Sequence, residues 1–101
     1  MNGALFSPRA LRELRAAAAF IAEERPETAE QLLLQAIEAA ERIAVKPMLA
    51  RVDLHLAPAR FRFWSLRGFP YLLVIDTKPT PPLVTRFVHR ARDLPAILRD
   101  L

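Results

Sequence analysis

The sequence predicts an α+β domain: an N-terminal helical hairpin packed on a small antiparallel β-sheet, with a short C-terminal helix. Two observations carry this. Apolar residues recur at helical spacing from Leu11 to Ile43, interrupted only around Pro26, whereas from Arg60 onward apolar runs of strand length are separated by Gly and Pro. Helices and strands that segregate along the chain, instead of alternating, argue against a parallel α/β sheet. With 101 residues, 52% of them apolar and 26% charged, the composition is that of a globular protein, and residues 1–101 read as one domain.

The elements follow in order. Ala4-Leu5-Phe6 is long enough only for a short edge strand. Ser7-Pro8 is a helix start, because serine caps free amides and proline tolerates the first helical position. Leu11, Leu14, Ala17, Ala18 and Ile21 then mark one face of an amphipathic helix ending at Glu24-Arg25. A second helix begins at Pro26, with Glu27 and Glu30 near its positive end. Its stripe of Ala29, Leu32, Leu33, Ala36, Ile37, Ala40, Ile43 and Ala44 is rich in small residues that let another helix approach. The short Pro-containing connection folds the two helices back antiparallel.

Lys46-Pro47 ends the second helix. From Met48 to Pro58 the pattern is mixed, and Val52, Leu54 and Leu56 fit either a weak strand or an extended connection. Arg60 to Trp64 is a strand candidate, Gly68 with Pro70 marks a turn, and the unbroken run Tyr71 to Ile75 reads as a central strand covered on both faces. Asp76 to Pro82 is a rigid loop, since its prolines supply no ladder donors. Leu83 to His89 is the last strand, rich in β-branched and aromatic residues. After Asp93, Leu94, Ile97, Leu98 and Leu101 allow a short amphipathic helix with Asp93 as its cap.

The chain is organised around that last strand. Its end turns polar, with Arg86, His89, Arg90 and Arg92 within seven positions. The balance of the chain is basic throughout: 13 arginines and two lysines give a formal net charge of +4, which suits an acidic partner such as nucleic acid or an acidic protein segment.

Several chemistries lack their parts. There is no cysteine, so disulfides and thiolate metal sites are excluded. His55 and His89 show no metal-ligand spacing, no metal or other cofactor is expected, and two glycines cannot build a phosphate-binding loop. The N-terminal residues lack the pattern of a signal peptide, and no run approaches the roughly 18 apolar residues of a membrane span. A cytoplasmic protein is expected.

Metal-free RNA cleavage needs a base, an acid and cations around the phosphate. His89 with Arg86, Arg90 and Arg92 supplies part of that set. Period-two geometry separates them, however, placing Arg86 and Arg90 on one face and His89 with Thr85 and Phe87 on the other. The same residues also suit a half-buried histidine bonded to backbone beside solvated arginines.

Five stretches carry a family resemblance. Leu5 to Leu14 is similar to the opening strand and helix start of RelE/ParE toxins of type II toxin-antitoxin systems, and Pro26 to Ile43 to their second helix. Lys46-Pro47-Met48-Leu49-Ala50-Arg51 resembles the family's proline-then-Gly-Arg connection, with Ala50 in place of glycine. Arg67-Gly68-Phe69-Pro70-Tyr71 and Arg86 to Leu94 match most closely. The fold the resemblance implies is the one the periodicity predicts.

The resemblance also discriminates between two activities. The RelE branch cleaves messenger RNA on the ribosome with sheet cations and a C-terminal acid-base side chain, commonly tyrosine. This chain has Tyr71-Leu72 where that branch tends to place an arginine, and Ile97 in the region of the tyrosine. It therefore looks like the ParE branch, whose members inhibit DNA gyrase by binding. The resemblance implies a ParD-like antitoxin as partner, with DNA contacted only through it, and a toxicity surface that would comprise Arg86, His89, Arg90 and Arg92. Leu14, Ala18, Ile21, Leu33, Ile37 and Ile43 would form the antitoxin groove, though burial in the chain's own core explains the same spacing. Two alternatives remain: an endonuclease using His89 as acid or base, and a degenerate toxin that keeps only antitoxin binding.

Overall fold

The computed structural model describes residues 5–101. Two helices come first, α1 (Pro8–Ala22) and α2 (Pro26–Val45), followed by a 3-10 turn at Pro47–Leu49. Four strands follow, β1 (Arg51–Val52), β2 (Phe61–Ser65), β3 (Tyr71–Asp76) and β4 (Leu83–His89), and then a one-turn helix, α3 (Leu94–Ile97). The strands form an antiparallel meander in the order β1-β2-β3-β4.

Local chemistry sets the boundaries. Ser7 Oγ accepts the Ala10 amide at 3.0 Å and also donates to the Thr85 carbonyl at 3.0 Å, so one hydroxyl caps α1 and ties it to β4. Pro26 occupies the first turn of α2, and the Lys46 amide closes its last turn on the Arg42 carbonyl. Gly68 adopts φ +79° in the turn joining β2 to β3, a conformation that a Cβ disfavours. At α3 the expectation fails in one detail: Asp93 occupies the cap position without a side-chain bond to the helix.

The sheet is buried on both faces, as the apolar run of β3 predicts. Against one face the hairpin packs Ala10, Leu14, Ala18, Leu32, Ala36 and Ile43 on Leu73, Ile75, Val84 and Phe87. On the other face, Phe61, Phe63, Leu72, Val74 and Val88 are covered by Leu98, with Leu94, Ile97 and Leu101 packed around them. The alanines of α1 and α2 keep the two helices close to each other and to the sheet.

Two differences from the sequence reading position the functional surface. The expected N-terminal strand reduces to a single parallel bridge between Phe6 and Val84, with Ala4 outside the described residues. In β4 the pairing skips from Val74↔Arg86 to Ile75↔Val84, leaving Thr85 as the extra residue of a β-bulge. The bulge breaks the period-two alternation, so that Val84 and Phe87 both face the hairpin although they are an odd number of residues apart. It also brings Arg86 to where α1, β4 and α3 meet.

Candidate interaction surfaces

Arg86 is the first correction. It is expected on the toxicity surface, yet it is 4% exposed. Its Nε lies 3.2 and 3.1 Å from the two carboxylate oxygens of Glu13, its Nη2 donates to Glu13 Oε2 at 2.8 Å, and its Nη1 donates to the Ile97 carbonyl at 2.7 Å. Glu13 also accepts the Phe87 amide at 2.8 Å, closing the outer edge of β4 that would otherwise carry a free donor. One guanidinium thus joins α1 and the C-terminal segment to the last strand, and a desolvated charge held by this many bonds belongs to the fold.

His89 is half-buried. Its ring stands edge-on to Tyr71 at 5.3 Å, and Tyr71 stacks on Phe87 at 5.0 Å. His89 Nδ1 accepts the Ala91 amide at 3.0 Å, which requires that nitrogen to be unprotonated and leaves Nε2 to carry the proton of the neutral ring. The aromatic stack and the local bond fix the ring in place. Arg90 and Arg92, by contrast, are exposed and enter no ion pair among the described residues.

The expected antitoxin groove divides in the same way. Leu14 and Ile43 are 1% exposed and Ala18 is also buried, so these three lie in the chain's own core and offer no surface to a partner. Ile21, Leu33 and Ile37 are half-buried and keep part of their surface in solvent. Helical spacing identifies a buried face; it does not say whether the chain itself or a partner buries it.

The apolar surface that is accessible lies elsewhere. Of the seven exposed large apolar side chains among the described residues, five fall between Val45 and Leu54: Val45, Met48, Leu49, Val52 and Leu54. Val45 and Leu49 line an open groove of about 1160 Å³ between α2 and the outer edge of β2, together with Arg42, Trp64, Leu66 and Arg67 and with the carboxylates of Glu38 and Glu41. The Arg42 guanidinium lies 5.7 Å from the centre of the Trp64 ring, on the groove wall. The groove exists because β1 pairs only with Arg62 and Phe63. Since the Leu66 amide and the Arg60 carbonyl bond toward β3, alternation turns the backbone groups of Ser65 to the other side, where β1 does not reach. The sequence does not mark this surface, since Val45, Met48 and Leu49 at and beyond the end of α2 have the side chains of core residues.

A second cleft, about 480 Å³ in volume, lies between the first turn of α1 and the C-terminal segment, with Arg9, Arg86, Arg92, Arg99 and Asp100 on its walls. Arg9 Nη1 donates to Asp100 Oδ2 at 2.7 Å, and Arg86 Nη1 is 3.7 Å from Oδ1. The Arg9 bond holds the Asp100 carboxyl below the usual carboxylate range and raises Arg9 in turn.

Among the described residues no helix is long and apolar enough to cross a membrane, and no three His, Cys, Asp or Glu side chains converge as a metal site would require. No curated protein sequence matches the chain. A solved structure of the chromosomal ParDE toxin-antitoxin system from P. aeruginosa is similar, with a TM-score of 0.71 at 15% identity, covering 83% of this chain and 90% of that one. At that identity the likeness shows a shared fold. The family profile of the ParE toxin of type II toxin-antitoxin systems, parDE, matches residues 4–94, nearly the whole chain. The chain therefore belongs to the ParE toxin family of type II toxin-antitoxin systems, in which a toxin is paired with an antitoxin.

Proposed function

We propose that this toxin arrests growth by binding DNA gyrase and that a cognate ParD-like antitoxin neutralises it. The observation that supports binding, in preference to catalysis, is the fate of the polar strand end. Arg86 is consumed by Glu13, and His89 is held by Tyr71 and by the Ala91 amide. What remains free is charge without a proton-transfer set, namely Arg90 and Arg92. A surface of that kind poisons an enzyme by shape and electrostatics. In this reading the toxin acts in the cytoplasm, where both proposed partners would be met.

The antitoxin docks, in this reading, along the groove between α2 and β2. Val45, Leu49 and Trp64 supply apolar contact for an amphipathic segment, Arg42 and Arg67 face its acidic residues while Glu38 and Glu41 face its basic ones, and the free backbone groups of Ser65 can bond to an extended stretch. Ile21, Leu33 and Ile37 stand as secondary contacts.

The test is to induce the chain alone in bacteria carrying a DNA-damage reporter. Arrest with reporter induction is the expected result. Arrest without induction transfers the activity to RNA cleavage with His89 Nε2 as the proton-transfer atom, and soluble expression without arrest identifies a module that only binds antitoxin.

A further inference from the structure

The cleft between α1 and the C-terminal segment gathers four cations, of which the fold needs Arg86 alone. Four arginines line it, Arg9, Arg86, Arg92 and Arg99, against the single carboxylate of Asp100. Arg86 is answered by Glu13, but Arg92 and Arg99 enter no ion pair among the described residues.

Arg9 is placed against local preference. It sits in the first turn of α1, where the helix dipole favours acids, and that turn contains none. A cation there costs helix stability and adds to the positive potential of the free amides beside it. Such a violation of a local rule is expected where a surface is built for a ligand.

The cleft also carries its own mimic of an anion. Asp100, next to the last residue, places Oδ2 at 2.7 Å from Arg9 Nη1 and Oδ1 at 3.7 Å from Arg86 Nη1. The Arg9 and Asp100 side chains are 48% and 58% exposed, so water competes with their pairing and the contact is weak. An oxyanion with more charge, able to accept from several guanidinium forks, would displace this carboxylate.

We propose that this cleft holds a backbone phosphate of a nucleic acid, with Asp100 as an internal occupant that the phosphate displaces. The ligand chemistry is a phosphodiester, recognised by Arg9, Arg92 and Arg99 through charge and paired N–H donors, with no reading of sequence. The inference is independent of the gyrase reading, because it concerns the toxin and the nucleic acid alone.

The experiment measures anisotropy of a short labelled DNA duplex, and of a single-stranded RNA of equal length, against the purified chain at stepped salt concentrations. Arg92→Gln and Arg99→Gln each lower the slope of log K against log salt by about 0.9, the value for one lost phosphate contact on duplex DNA, or about 0.7 on a single strand. Asp100→Asn tightens binding by about two- to fivefold, the range of one exposed ion pair. Duplex or single-strand preference assigns the phosphate to DNA or RNA. These residues are exposed, and unchanged circular dichroism and melting in each variant confirm that the fold is retained. The proposal is overturned by binding that is absent for both nucleic acids, by slopes unchanged in both arginine variants, or by polyglutamate competing as well as DNA at equal charge.

Discussion

The contact between Glu13 and Arg86 allows the sharpest test of how the fold is held. Glu13→Gln keeps the shape of the side chain but replaces one carboxylate oxygen with an amide that faces the guanidinium donor to donor. An oxygen kept at the Oε1 position still accepts the Phe87 amide and Arg86 Nε, but the two contacts that Arg86 Nε and Nη2 make to Oε2 are lost. Because Arg86 is 4% exposed, its charge is left in a desolvated place with only the longer 3.7 Å contact to the exposed Asp100 carboxylate. Removing one partner of such a pair costs about 3–5 kcal/mol. A domain of this size is stable by about 5–15 kcal/mol, and each kcal/mol shifts its midpoint by about 4–8 °C. The expected drop in melting temperature is therefore on the order of 12–40 °C, read by circular dichroism and checked by urea titration. The companion variant Glu13→Leu with Arg86→Met removes both charges, leaving the Phe87 amide and the Ile97 carbonyl to find other partners. It should be less destabilised than the sum of the two single variants by at least about 2 kcal/mol. A Glu13→Gln protein within about 0.5 kcal/mol of wild type, or strictly additive single variants, would refute this account of Arg86.

Three further outcomes are expected. Val45→Asp, at a side chain 87% exposed on the groove rim, should weaken binding of the antitoxin segment by at least about tenfold in calorimetry and leave the melting temperature unchanged; equal affinity would move the docking site elsewhere. Burial of Asp76 pushes its carboxyl up, but the bonds from Arg60 and the Lys78 amide outweigh it and hold the group below its ordinary value. Its stabilising contribution is thus present above the unfolded-state value of about 3.9 and lost as pH falls through the lower folded-state value, so the gap between wild type and Asp76→Asn in urea titrations should close in acid. Arg90→Gln combined with Arg92→Gln should abolish growth arrest while the fold and antitoxin affinity persist, and full arrest by that variant would remove both residues from the toxicity surface.

The two long helices and the central strand were legible because each satisfies a single physical requirement. α1 and α2 show one buried stripe between Pro8, Pro26 and Pro47, and β3 is covered on both sides, so its residues need not alternate. β1 was legible only as one of two alternatives for the Val52, Leu54 and Leu56 stretch, since its two residues are exposed and the strand stops at Val52. Arg86 was misread for another reason. Its partner Glu13 lies 73 positions earlier, and although Arg86 does face away from Phe87 and His89 as the alternation predicts, the groups that cover that face come from other segments. The groove residues escaped because Val45 and Leu49 have the side chains of core residues, and only the short reach of β1 shows that the core ends before them.

These placements bear on how any variant of the strand end is interpreted. Arg9 comes from α1, and Arg92 and Arg99 come from the chain after β4, so the basic cleft forms only if those two segments meet. Arg86 makes them meet: Glu13 on α1 and the Ile97 carbonyl on α3 are bonded to the same guanidinium. Arg86 therefore acts as a positioning residue for the cleft as well as a clamp on the fold. Loss of toxicity on changing Arg86 would follow from a displaced α3 even if no partner ever touches that side chain. Arg90 and Arg92 carry no such double role, since neither enters an ion pair among the described residues. Variants at those two positions separate contact from folding, and an Arg86 variant does so only when its activity is compared at matched folded fraction.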